Sequence, residues 1–347
     1  MKKILMTAVA LLTMTAGMAQ ERVNPWGLVY DNAIMENATG AVQLLPVTYD
    51  VDGITVSANV YLPAGYDTGK RYAAVVVSHP NGGVKEQVSG TFAQKLAEAG
   101  YIAIACDARY QGQSGGRPRG TDKPANRIGD IHGMIDYISQ FPGVDKERIG
   151  AFGICGGGGY TVAAAQSDKR IKAVAALSMF NTGRVRRNGY CDSQVSTIPE
   201  RLRQASAARQ QEAETGVTVY PPKQKQPTED ELKAMPFDLY REGVFYYTTS
   251  KYAHPNNGSS APLSNMLDLM TWDATDRMPL IDQPLFMIVG EKADSRYMTD
   301  EAMQKATGTT DKSLFIVPGA THIQTYYVPE YVEQEQARLV EFFNSKL

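Results

Sequence analysis

A cysteine set among glycines is the first group in this sequence with chemistry to offer. Gly153-Ile154-Cys155-Gly156-Gly157-Gly158-Gly159 follows the apolar stretch Arg148 to Phe152 and precedes the helical stretch Thr161 to Gln166. Small residues two positions before and after a nucleophile allow a sharp strand-to-helix turn that holds it in a strained backbone conformation. A helix beginning at Gly156 aims its backbone N–H groups at Cys155, which favours a thiolate and offers a donor to a developing oxyanion. The competing reading is a buried cysteine beside a phosphate-binding glycine loop. Against it, the run lacks the Lys-Ser/Thr of a P-loop and an acidic residue at dinucleotide spacing.

A cysteine nucleophile needs a base, and the chain has four histidines. His132 falls inside a predicted helix and His254 in the loop His254-Pro255-Asn256-Asn257-Gly258. His322, in Pro318-Gly319-Ala320-Thr321-His322 after the last predicted strand, is the base of choice. His79 also ends a strand, in Ser78-His79-Pro80-Asn81-Gly82-Gly83, and is assigned to bracing a loop that can supply a second oxyanion donor. A carboxylate after another strand should orient the imidazole. Asp294, beyond the strand Leu285 to Val289, is preferred to Glu291, which abuts the strand and whose simplest role is an ion pair with Lys292.

The elements that must position these groups follow from periodicity. Ile54, Val56, Ala58, Val60 and Leu62 alternate with polar residues after Asp52-Gly53, predicting an antiparallel hairpin over 44–62. Beyond it, short apolar strands at Tyr72 to Ser78, Tyr101 to Cys106, Arg148 to Gly153, Ile171 to Ser178, Pro284 to Val289 and Leu314 to Val317 alternate with amphipathic helices near 87–99, 125–141, 156–167, 298–306 and 328–345. That is the signature of a doubly wound α/β fold, with an eight-stranded, mostly parallel sheet. Residues 179–278 break the rhythm and are read as a helical cap inserted into a core of 20–178 and 279–347, because a structureless loop of that length is improbable in a compact domain. Tyr220, Phe237, Tyr240, Phe245, Tyr246, Tyr247 and Tyr252 form either an aromatic pocket or the cap's own small core. Arg184, Arg186 and Arg187 form either a solvated face or a site for a substrate carboxylate.

Lys2 and Lys3, the apolar run Ile4 to Leu12, and Gly17 and Ala19 at a cleavage-like site predict a signal peptide over 1–19 and a periplasmic or secreted protein. Its removal takes two lysines and no acids, moving the formal charge from −2 to −4. Nucleic acid is therefore set aside as a partner. No later run is long and apolar enough to predict stable membrane insertion, and no cofactor or metal is implied. The three cysteines are too few for a disulfide framework, and whether Cys106 and Cys191 pair is left open, as is the oligomeric state.

Together, Ser-His-Pro-Asn-Gly-Gly at 78–83, Asp-Ala-Arg-Tyr-Gln-Gly-Gln-Ser at 107–114, Gly-Ile-Cys-Gly-Gly-Gly at 153–158, Gly-Glu-Lys-Ala-Asp-Ser-Arg at 290–296 and Gly-Ala-Thr-His at 319–322 resemble the α/β-hydrolase superfamily. Within it the chain is similar to the dienelactone-hydrolase-like branch, which includes capped bacterial hydrolases and fungal polyketide transferases. The chain order nucleophile, acid, base fits. The resemblance implies a Cys155-Asp294-His322 triad, with backbone N–H groups of Gly156 and Asn81 as the oxyanion hole. Two departures stand out: Tyr110 where relatives often carry glycine in a turn, and Gly156 where a larger residue is common, a change expected to widen the pocket. A thiolate suits activated acyl groups. The expected activity is hydrolysis of carboxylic esters, thioesters or lactones of a small-molecule acyl substrate. An acyltransferase, a prolyl-type peptidase and a non-catalytic binding protein on the same scaffold are the alternatives.

Overall fold

The computed structural model describes residues 24–222, 225–258 and 260–347; the predicted signal peptide lies outside the described residues. β1 (Gln43–Val51) and β2 (Ile54–Leu62) form the hairpin, turning through Asp52 and Gly53 at φ 52° and 76°. Two successive positive φ values give the turn the twist that flanking strands need. Then follow β3 (Tyr72–Ser78), α1 (Val88–Glu98), β4 (Ile102–Cys106), α2 (Pro124–Ile138), β5 (Val144–Ile154), α3 (Gly156–Ser167) and β6 (Ala173–Leu177). With β7 (Leu285–Gly290) and β8 (Lys312–Val317), the sheet has eight strands in the order β1-β2-β4-β3-β5-β6-β7-β8, antiparallel at β1-β2 and β2-β4 and parallel beyond. α1 packs with the carboxy-terminal helix, and α2 packs with α3. Strands covered on both faces read as continuous apolar runs, as Val75–Val77 and Ala173–Leu177 do.

Between β6 and β7 (Leu285–Gly290) the described residues hold helices and no strand: α4 (Thr182–Asn188), α5 (Ile198–Thr215), α6 (Glu229–Ala234), α7 (Asp238–Val244) and α8 (Met266–Leu269). α9 (Arg296–Lys305), β8 (Lys312–Val317) and α10 (Pro329–Lys346) complete the chain. Among the described residues no helix is long and apolar enough to cross a membrane. Cys106 is buried and Cys191 exposed, and neither is in a disulfide. Tyr110 does occupy a glycine-like turn, at φ 71°.

Candidate active site

β5 runs into α3 through a single residue, Cys155, at φ 55° and ψ −123°. A non-glycine residue there carries backbone strain of about 1–3 kcal/mol, which the surrounding packing must impose. The flanking glycines show how. A Cβ on Gly153 would lie 2.4 Å from the Gly157 carbonyl and the Thr161 hydroxyl, and one on Gly157 would strike the carbonyls of Ser78 and His79. The elbow is thus wedged against the end of β3. Cys155 is 8% exposed. Burial pushes its thiol pKa up, while the Tyr326 hydroxyl and the backbone N–H groups of Gly156 and Asn81 approach the sulfur and favour its thiolate.

Gly156 does not widen the pocket, contrary to expectation. Any Cβ there would fall on the side-chain amide of Asn81, which fills that space and donates through Nδ2 to the Thr182 hydroxyl at 2.9 Å. The Asn81 loop is held from beneath. His79 Nδ1 lies 2.7 Å from the Pro80 carbonyl, and its Nε2 accepts from the Ala108 N–H at 3.0 Å. Burial, and next the Arg127 charge, press the His79 pKa down to about 3, so the ring is neutral. On the other side of the loop, Lys85 donates to Asp107 at 3.0 Å and to Glu86 at 2.5 Å, all three buried. Burial and the Asp107 charge raise Glu86 to about 7.

His322 is fully buried after β8, and burial alone presses its pKa to about 3. Its Nδ1 lies 2.5 Å from Ser295 Oγ and its Nε2 2.8 Å from Tyr326 Oη. The Asp294 carboxylate therefore does not sit on the imidazole as sequence reasoning placed it. It accepts from the Tyr190 hydroxyl at 2.6 Å and from the Leu239 N–H at 3.2 Å, both in the helical segment between β6 and β7. Two strong donors there outcompete a ring whose Nδ1 is already taken. Glu291, the competing carboxylate, is exposed and accepts from the Gly319 N–H at 2.8 Å rather than pairing with Lys292.

The structure thus gathers Cys155, Gly156 and Asn81, sets His322 between Ser295 and Tyr326, and turns Asp294 toward Tyr190 and Leu239. Sequence reasoning missed Ser295 and Tyr326. Tyr326 lies four residues after His322, one helical turn, and Ser295 is next to Asp294; that spacing was the available signal.

The aromatic residues split into two groups. Tyr190, Phe237 and Tyr240 cluster beside Asp294, while Tyr246 stacks on Tyr252 and on Tyr327 of the α/β body and meets Tyr326 edge-on. A cleft of about 1010 Å³ opens at Asn81, with Gln111, Arg186, Tyr190 and Tyr240 on its wall. Arg184 is consumed by Asp192 and Glu301, and Arg187 by Asp273, leaving Arg186 at the cleft with no carboxylate partner among the described residues. Among the described residues, no cluster of His, Cys, Asp and Glu could hold a metal.

Comparison with known proteins agrees with this fold. The dienelactone hydrolase family model matches residues 57–181. The uncharacterized protein YcjY of Escherichia coli (strain K12) is 37% identical over 301 residues, 85% of this chain and 95% of the relative. The crystal structure of hypothetical protein PA2218 from Pseudomonas aeruginosa superposes with a TM-score of 0.82 at 32% identity, covering 93% of this chain and 97% of that one. The thiohydrolase aneE of Aspergillus aculeatus is 30% identical over 151 residues, 44% of this chain and 46% of the relative. With its eight-stranded, mostly parallel sheet, the chain belongs to the dienelactone hydrolase family of α/β hydrolases, enzymes acting on ester-type bonds.

Proposed function

We propose that the protein hydrolyses carboxylic esters, thioesters or lactones through a covalent acyl-enzyme on Cys155. The observation carrying this reading is the strained Cys155 elbow, whose sulfur faces the N–H groups of Gly156 and Asn81 and the Tyr326 hydroxyl that bonds His322. At rest the pair is a neutral thiol and a neutral imidazole, since burial disfavours both charged forms. Substrate binding at the Asn81 end of the cleft puts the carbonyl oxygen against two N–H donors. As sulfur attacks, the thiol proton passes to His322, the oxyanion is stabilised, and collapse expels the alkoxide or thiolate, which takes the proton back. Water then repeats the sequence and frees the acid. Ser295 seats the imidazole, and Asp294 ties the helical segment to the catalytic loop.

An ester-type acyl group fits a sulfur nucleophile, and the thiohydrolase aneE is a relative over part of the chain. The direct test is turnover of p-nitrophenyl acetate and of an acetyl thioester by the wild type and by Cys155→Ala. The wild type turns over both and the variant neither; full activity of Cys155→Ala would remove the reading. The size of the cleft supports acyl transfer as a second reading, since it has room for an acceptor. Added alcohols and amines would then divert product from free acid. The amino-terminal pattern supports export as part of the same proposal: protein recovered from the periplasm or medium should begin near Gln20.

A further inference from the structure

We infer that Gln111 and Asp122 form a subsite for substrate hydroxyl groups, so that the preferred substrate is the ester of a polyol or of a hydroxy acid. The inference rests on the ester-cleaving reading above and names the substrate class of that same site. Both residues line the cleft that opens at Asn81, and both are nearly buried, at 6% and 8% exposure. Neither side chain makes a hydrogen bond among the described residues, and Asp122 Oδ1 is closed off from solvent as well. Buried amides and carboxylates are costly to leave unpaired. Two of them on the wall of one cleft are groups kept for a ligand.

The subsite is built before any ligand arrives. Both residues belong to the loop 107–122 after β4, where the Gln111 N–H donates to the Ala108 carbonyl at 3.0 Å. The Gly120 N–H donates to the Tyr110 carbonyl at 2.8 Å, which folds the loop back and brings 111 and 122 to the same end of the cleft. Asp122 stands just before α2, and Arg127 on that helix places Nη1 3.5 Å from Asp122 Oδ1. The same guanidinium donates to the His79 carbonyl at 2.9 Å and lies 4.9 Å over the Tyr160 ring. Asp122 is therefore fixed relative to the strand end that carries Asn81. From above, the Tyr220 hydroxyl donates to the Arg119 carbonyl at 2.8 Å, and Lys123 pairs with Asp268 at 2.9 Å.

The chemistry of the pair selects a neutral hydroxyl. A carboxylate only accepts, whereas an amide both donates and accepts, so one hydroxyl can donate to Asp122 while another accepts from Gln111. An ammonium gains little, because Arg127 already offsets the Asp122 charge and Arg186 and Lys225 line the same cleft. An anion would meet the Asp122 oxygens. The cleft, about 1010 Å³, has room for a sugar-sized group, and the Tyr240 ring on its wall, 45% exposed, offers a face to its carbon skeleton.

The experiment uses the full-length enzyme as wild type, Gln111→Ala, Asp122→Asn and Cys155→Ala, with two matched ester pairs. Glycerol monobutyrate against propyl butyrate puts the hydroxyls on the alcohol; ethyl 3-hydroxybutyrate against ethyl butyrate puts one on the acyl group. Wild type should favour the hydroxylated member of at least one pair by about tenfold or more in kcat/KM, and the pair that shows it tells which part of the substrate reaches the subsite. Gln111→Ala and Asp122→Asn should each cut that ratio by about fivefold or more, chiefly through KM. A merely structural defect would slow both members of a pair alike and leave the ratio unchanged. No preference in either pair, or a preference that survives both substitutions, would overturn the subsite. If Asp122→Asn does not fold because Arg127 loses its partner, Gln111→Ala decides alone. Activity retained by Cys155→Ala would instead defeat the underlying reading, so the two failures are distinguishable.

Discussion

Ser295 and His322 are joined by a 2.5 Å contact between Oγ and Nδ1, while the neighbouring Asp294 gives its carboxylate to Tyr190 and the Leu239 N–H. Two adjacent residues at the end of β7 therefore serve different partners. Ser295→Ala should lower kcat/KM by about tenfold or more, since a ring without its orienting bond loses its tautomer and position. Asp294→Ala should act mainly on stability, by about 1.5–3 kcal/mol for hydrogen bonds to a charged group. Urea unfolding beside steady-state kinetics separates them. A large kinetic loss for Asp294→Ala with a silent Ser295→Ala would mean that the carboxylate orients His322 during turnover.

Gly156 and Asn81 share one volume, so a methyl group on one must displace the other. Gly156→Ala should cost about 10²-fold in kcat/KM by moving an oxyanion donor. Because the donor from Asn81 is its backbone N–H, Asn81→Ala/Gly156→Ala should recover much of that loss. Equal activity of the double and single variants would show that crowding is not the cause.

The pH profile follows from two burials of opposite chemical type. Burial holds the His322 pKa near 3 and raises that of the Cys155 thiol, so neither group changes charge across the neutral range. Hence kcat/KM should be flat from about pH 5 to about pH 8, and iodoacetamide alkylation of Cys155 should climb with pH without an inflection below 7. An inflection near pH 6 in alkylation would indicate a thiolate-imidazolium pair at rest instead.

Glu335 on α10 is fully buried with neither carboxylate oxygen hydrogen-bonded among the described residues, and burial raises its pKa well above the usual value of 4.5. A raised folded-state pKa contributes stability that is fully present below the unfolded value and is lost as pH rises through the folded one. Glu335→Gln removes that dependence. Its stability gain over wild type should therefore grow as pH rises above about 4.5, by about 1.4 kcal/mol per pH unit until the folded pKa is passed. Urea midpoints at pH 5, 7 and 9 measure it, and an identical difference at all three would contradict the assignment.

How much of this was legible in the sequence depended on which forces act locally. The strands were legible because sheet burial on both faces requires apolar runs, and the elbow because only glycines fit at 153 and 157. Lys85 and Glu86 were passed over, since adjacent charges usually face solvent, whereas here Asp107 draws Lys85 inward and Lys85 in turn holds Glu86. The direction of Asp294 was not legible because Tyr190, 104 residues earlier in the chain, takes it, and no local pattern encodes that contact. Tyr326 read as one aromatic among nineteen tyrosines until its hydroxyl fell 2.8 Å from the His322 Nε2.

The central claim is that Cys155 carries the acyl group. Intact-mass and peptide mass spectrometry after rapid quenching of enzyme mixed with excess p-nitrophenyl acetate measures this directly. One added acetyl group per chain is expected, located on Cys155 and absent from Cys155→Ala. Turnover with no adduct at Cys155, or an adduct on another residue, would contradict it.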